Sequence, residues 1–193
     1  RFFGDVAPQF SGRIAWRGMV DPSQLPRELT RGRVQLWLGA DAHLVAYPVR
    51  GGRLINLVAI AEGLWSRPGW NEPADAAEVA QFFRAERWPG AARMMINAVE
   101  RWSRFALYTL PELPSYAHER AALLGDAAHA MLPFAAQGAG MAIEDAATLA
   151  RCLSDPSSRT AQALDHYAGM RRGRVARVHA AVVSPCTAPC RVM

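Results

Sequence analysis

Three cysteines, no long apolar run and no paired metal-ligand spacing mark what this 193-residue chain has little of. Cys152, Cys186 and Cys190 are an odd set, which argues against a disulfide framework and suits a reducing cytoplasm. Cys186 and Cys190, four apart, do not make a metal site by themselves, so no metal is expected. No stretch reaches the roughly 20 apolar residues that a membrane span needs, and Arg1-Phe2-Phe3-Gly4-Asp5 lacks the apolar segment of a signal peptide. Acidic residues are outnumbered, 17 to 22, giving a net charge of +5. That balance suits anionic ligands, and no nucleic-acid motif accompanies it, so neither a nucleic-acid nor a membrane partner is expected. What remains is globular: 51% hydrophobic and 20% charged, long enough for one full domain or two small ones.

Period-two alternation predicts a strand over residues 10–20, with Ile14, Trp16 and Gly18 on one face and Arg13, Ala15 and Arg17 on the other. A polar connection over 22–32 precedes three more strands, at 33–38, 43–49 and 53–61. Arg50-Gly51-Gly52-Arg53 reads as a two-residue hairpin turn between the last two. With a return strand from Trp102 to Leu110, this makes an antiparallel sheet of four or five strands. His43, Val45 and Tyr47 share one face of their strand, so an imidazole and a phenol four residues apart can line one cavity, or equally sit as an edge histidine and a half-buried core tyrosine. Asp75 is placed as the N-cap of a helix over 76–84, and a second short helix fits 91–99 with Met94-Met95-Ile96 as core or pocket wall.

The chain is organised around Ala121 to Ala146. An apolar run, Ala121 to Leu124, is long enough for a buried strand and stops at the turn signal Gly125-Asp126. Pro133 follows, then Gln137-Gly138-Ala139-Gly140 opening a helix to about Leu153. This is a strand delivering one carboxylate, and a glycine-opened helix pointing N–H groups, at the same ligand. Ala142, Ala146, Leu149, Ala150 and Leu153 form the expected inward face of that helix. A last helix over 160–183 turns Leu164, Tyr167 and Val175 inward, and its Arg171, Arg172, Arg174 and Arg177 read as a solvated face or a dock for acidic residues. Residues 184–193 read as a loose tail.

Gly125-Asp126-Ala127-Ala128-His129, three residues, Pro133, three residues, Gln137-Gly138, five residues, Glu144-Asp145: this spaced set resembles the second flavin-binding motif of the FAD-dependent aromatic hydroxylases, the single-component flavoprotein monooxygenases. The resemblance implies an α+β chain: a mostly antiparallel substrate-domain sheet (1–110), then the helical C-terminal part of an FAD-binding domain (111–183). The family's N-terminal Gly-x-Gly-x-x-Gly Rossmann half and its Asp-Gly element have no counterpart in this sequence. The resemblance further implies Gly125, Asp126, Pro133, Gly138, Ala139, Gly140 and Met141 as flavin contacts, with Asp126 on the ribityl hydroxyls and the four residues from Gly138 turning N–H groups to the pyrimidine edge. His43-x-x-x-Tyr47-Pro48 resembles the substrate-lining pair of hydroxybenzoate and hydroxynicotinate hydroxylases, so His43 and Tyr47 are the catalytic candidates. In the implied reaction NAD(P)H reduces FAD, O2 adds to the reduced flavin, and the flavin hydroperoxide hydroxylates a small aromatic substrate, in a cytoplasmic protein that admits a homodimer. An inactive remnant, a split half completed by another chain, and a basic binding module are the alternatives.

Overall fold

The computed structural model describes residues 3–84, 86–133 and 137–183, so the expected tail, with Cys186 and Cys190, lies outside the described residues. It is an α+β chain that divides into two units, one of residues 12–107 and one joining residues up to 11 with those from 108 onward. The first eleven residues group with the helical unit, not with the sheet.

The sheet unit is built on β1 (Gln9–Val20), β2 (Gln35–Leu38), β3 (Ala42–Val49), β4 (Leu54–Glu62), β5 (Asn71–Ala74) and β6 (Trp102–Thr109), in the spatial order β2-β3-β4-β1-β6-β5. The sheet therefore has six strands, one more than the alternation showed. β5, Asn71-Glu72-Pro73-Ala74, carries a proline and no apolar alternation, and it exists only by pairing with Trp102–Phe105 of β6 at the sheet's edge, where proline is tolerated. The expected two-residue hairpin is corrected as well: β3 and β4 close at Val49–Leu54, leaving a four-residue loop. Arg50, Gly51 and Gly52 all take positive φ there, so three left-handed residues, not two, reverse the chain.

Register settles which side chains share a face. Ile14–Ala61–Ala42, Trp16–Ala59–Leu44–Trp37 and Gly18–Leu57–Ala46 are cross-strand rows, and every member is buried. α1 (Ala76–Ala80) and α2 (Gly90–Asn97) supply Val79, Ala92, Met95 and Ile96 to the same core. Trp16 packs on Phe82 with ring centroids 5.2 Å apart and donates its Nε1–H to Glu78 of α1 at 3.3 Å. Gly18 is required by close approach: a Cβ there would collide with the side chains of Val99 and Trp102. Asp75 caps α1 as expected, accepting from the Ala77 N–H at 3.0 Å, although the helix ends at Ala80 and not at 84. Met95 and Ile96 are core, whereas Met94 is 46% exposed.

The helical unit contains a two-strand ribbon, β7 (Ala117–His118) with β8 (Ala121–Ala122), then α3 (Asp126–His129), α4 (Gly138–Leu153) and α5 (Thr160–Val183). The buried strand expected over 121–124 is reduced to two paired residues, and Leu124 is 38% exposed. Leu123 is held by other means: its N–H donates to Tyr116 O, and its carbonyl accepts from the Tyr167 hydroxyl, both at 2.8 Å. α5 turns Leu164, Tyr167 and Val175 inward as its periodicity indicated. α4 does not follow its periodicity. Its buried residues are Met141, Asp145 and Cys152, while Ala146 and Ala150 are exposed and Leu153 is half exposed. The helix is rotated by one position from the expected face because a buried carboxylate, not an alanine, meets α5.

Candidate functional site: a carboxylate turn facing a helix start

In the helical unit the chain leaves Leu124 through Gly125 at φ 58° and ψ −141°, a conformation that only glycine takes without strain. A Cβ at this position would also lie 3.1 Å from Ala142 Cβ. The turn leads directly into α3, so Asp126 is the first helical residue and its side chain is exposed. Asp126 Oδ1 lies 3.9 Å from where a Cβ on Gly138 would stand. The carboxylate and the start of α4, twelve residues apart in sequence, are thereby side by side. Among the expected flavin contacts, Gly138, Ala139 and Gly140 occupy the first turn of α4, whose N–H groups have no partner within the helix. Nothing lies within 4 Å of a Cβ built on Gly140. Met141 differs: its N–H donates to Gln137 O at 2.8 Å and its side chain is buried, so its backbone donor is already engaged. Pro133 is exposed, immediately after buried Leu132.

What fixes this turn is a residue that the periodicity reading passed over. Asp145 of α4 is fully buried, and its Oδ2 accepts from the Gly125 N–H at 2.7 Å and meets His129 Nε2 at 2.6 Å. Its Oδ1 accepts from Arg171 Nε of α5 at 2.6 Å. Arg171 reaches further to Glu144 at 2.8 Å and to the Met141 carbonyl at 3.3 Å, and Arg174 holds Glu144 through both its Nε and a terminal nitrogen. Of the two readings for the basic run on α5, docking to acidic residues is the one realised: Arg171 is 5% exposed, and Arg172 pairs with Glu112 at 2.9 Å. Burial pushes the Asp145 carboxyl upward, but the Gly125 N–H, Arg171 and His129 outweigh it and hold it below the usual carboxylate range. Hydrogen bonds from Arg174 and Arg171 bring Glu144 down to about 2. The spaced motif that joins Gly125 to Glu144-Asp145, and the arginine-bearing helix that follows, were the available signals, but neither says that the Asp145 side chain contacts the Gly125 N–H.

In the sheet unit, His43, Val45 and Tyr47 project together from the face opposite the helices, and each is partly exposed. The rows on this face run Leu38–His43–Ile60–Ala15, Leu36–Val45–Val58–Arg17 and Tyr47–Asn56–Met19. Arg17 lies over the Phe105 ring at 5.2 Å, bracing the sheet face. Burial, with a smaller contribution from the Arg13 charge, lowers His43 from 6.5 to about 4. The ring is therefore neutral at pH 7, able to accept or donate one hydrogen bond but a weak base. Tyr47 lines a water-sized crevice with Leu29 and Thr30 from the connection before β2 and Gln35 at its start.

The residues present fit the family's cofactor. The Gly125 turn and the glycine-opened α4 leave backbone approachable, and an exposed acceptor stands beside N–H donors that have no partner within the helix, which matches a ligand with hydroxyls and an electron-rich edge. Among the described residues there is no cluster of metal-ligating side chains, and no helix is long and apolar enough to cross a membrane.

Comparison with known proteins gives the family. Residues 18–182 match the family described as FAD binding domain. A salicylate hydroxylase of Pseudomonas putida is 41% identical over 190 residues, covering 89% of this chain and 43% of the relative. 3-Hydroxybenzoate 6-hydroxylase 1 of Aquipseudomonas alcaligenes is 37% identical over 182 residues, covering 92% and 44%. The solved structure of a salicylate hydroxylase substrate complex superposes with a TM-score of 0.81 at 33% identity, over 93% of this chain and 47% of that one. The chain thus spans about half the length of the relatives it matches. It belongs to the FAD-dependent aromatic hydroxylase family, matching the FAD binding domain description over residues 18–182.

Proposed function

We propose that this chain provides the substrate sheet and the C-terminal flavin contacts of an NAD(P)H-dependent monooxygenase that hydroxylates a small hydroxy-aromatic acid with O2, in the cytoplasm. The sheet unit is then the substrate domain, and the helical unit is the C-terminal part of the FAD-binding domain. The observation that carries this reading is the placement of the Asp126 carboxylate beside the first turn of α4. Asp126 would accept hydrogen bonds from ribityl hydroxyls, and the N–H groups of Gly138, Ala139 and Gly140 would face the flavin edge where negative charge gathers on reduction. Met141 serves this site by packing, since its N–H is engaged. Bound FAD supplies the oxygen-activating redox chemistry, and Pro133 would shape the passage beside it.

For the substrate, His43 and Tyr47 would orient a phenolic hydroxyl. With His43 near 4, full transfer of a proton from an ordinary phenol to it is uphill by roughly 8 kcal/mol. His43 therefore acts as a neutral acceptor that aims the hydroxyl and not as the final proton sink. The pairing of Arg171, Arg172 and Arg174 with carboxylates weighs against a basic binding module. Titration of the 193-residue chain with FAD, followed by fluorescence and bound-flavin absorbance, tests the proposal. Micromolar or tighter binding supports it, and NADH or NADPH oxidation with hydroxy-aromatic acids then tests the reaction. A folded chain that takes up no FAD would sink the reading for this chain and favour the inactive remnant.

A further inference from the structure

One carboxylate oxygen holds both ends of the turn that carries Asp126. Asp145 Oδ2 accepts from the N–H of Gly125, immediately before Asp126, and meets Nε2 of His129, the last residue of α3. Its other oxygen is fixed by Arg171, which also reaches the Met141 carbonyl at the start of α4. The four groups are buried, and His129 Nδ1 has no partner among the described residues, so Nε2 is the ring's one anchor. Burying an ionised carboxylate is unfavourable unless every lone pair is met, and apolar side chains of similar volume would join α4 to α5 with less desolvation. Apolar side chains could not, however, fix the direction of the Gly125 N–H or the end of α3.

We propose that Asp145 is a positioning residue: acting through Gly125 and His129 on one side and Arg171 on the other, it sets the Asp126 carboxylate and the first turn of α4 in the relative placement that flavin binding uses. This rests on the flavin reading above, and it predicts a loss of local order distinct from a loss of stability. Asp145→Asn keeps the volume, but its NH2 must face either the Gly125–His129 donors or Arg171, so one side of the clamp opens. Val175→Ala trims the same buried core without removing a hydrogen bond, and serves as the stability-matched control.

Amide hydrogen exchange is measured on the 193-residue chain in both variants, at temperatures equally far below each melting point. The expected result is at least tenfold faster exchange at the hydrogen-bonded amides of Gly125, Ala128, His129 and Met141 in D145N, with α5 unchanged within twofold, while V175A shows no such selectivity. His129→Phe, which keeps the ring and removes the Nε2 anchor, should loosen 126–130 alone and covers the case in which D145N does not fold. In parallel, D145N should weaken FAD at least tenfold and alter the bound-flavin absorbance, and V175A should do neither. If D145N and V175A give the same exchange pattern, or if neither D145N nor H129F loosens the turn, Asp145 is merely structural and the inference is overturned. If the unaltered chain binds no FAD, the functional reading fails separately, and the exchange pattern still decides whether Asp145 places the turn.

Discussion

The two units solve the same problem, holding a candidate site side chain in place, by different physics. In the sheet unit, His43 and Tyr47 are aimed by a ladder whose other face is a continuous apolar core, from Ile14 and Trp16 to Leu44 and Leu57. In the helical unit, Asp126 is aimed by a buried charge cluster, Asp145 with Gly125, His129 and Arg171. An apolar core tolerates exchange of one hydrophobic side chain for another, because dispersion and burial have no direction. A charge cluster fixes directions but leaves uncompensated charge when any member is removed.

Asp145→Ala should therefore be the most damaging single change, at about 3–5 kcal/mol, because Arg171 and His129 stay buried without their acceptor. Denaturant unfolding followed by circular dichroism would show it, and a loss below about 1 kcal/mol would break the contrast between the units. Leu57→Ala, in the fully buried row behind His43, should lower stability by about 2–5 kcal/mol as a cavity. All six tryptophans lie between residues 16 and 102, so intrinsic fluorescence reports that loss from the sheet unit alone. Asp126→Ala should leave melting unchanged and weaken FAD by roughly 1.5–3 kcal/mol, one charge-assisted acceptor's worth. Unchanged FAD affinity would remove Asp126 from the site.

Acid should separate the units more gently. His43 is depressed from 6.5 to about 4 in the fold, so between these values the unfolded chain binds the extra proton. Its contribution is complete above 6.5 and is lost as pH falls toward 4. Glu144, depressed from 4.5 to about 2, contributes fully above 4.5 and loses its contribution only as pH falls toward 2, with Asp145 moving in the same direction. Tryptophan fluorescence should accordingly report acid weakening at a higher pH than helical circular dichroism does, and His43→Gln should abolish the earlier part. Coincident transitions would erase the distinction.

The legible parts were those governed by local rules. Alternation placed β1, β3 and β4 to within a residue or two, because half-buried strands repeat every second position. The Asp75 cap and the left-handed glycines after β3 were visible because few residue types serve those positions. The strand expected over 121–124 and the inward face of α4 were misread for one reason: apolar spacing assumes that apolar residues are the ones buried. In α4 the buried position is Asp145, and Leu153 is half exposed.

By itself the sequence determined the antiparallel sheet, the two long helices and the spaced motif whose glycines and aspartate identify the family, since each depends on backbone preferences and on residues near in the chain. Only the tertiary structure decided the pairing of β5 at the sheet's edge, the neutral state of His43, and the clamp of Asp145 on Gly125, His129 and Arg171. Most of those depend on partners many positions away, and hydrogen bonds and desolvation are set by distances in space that no local spacing encodes.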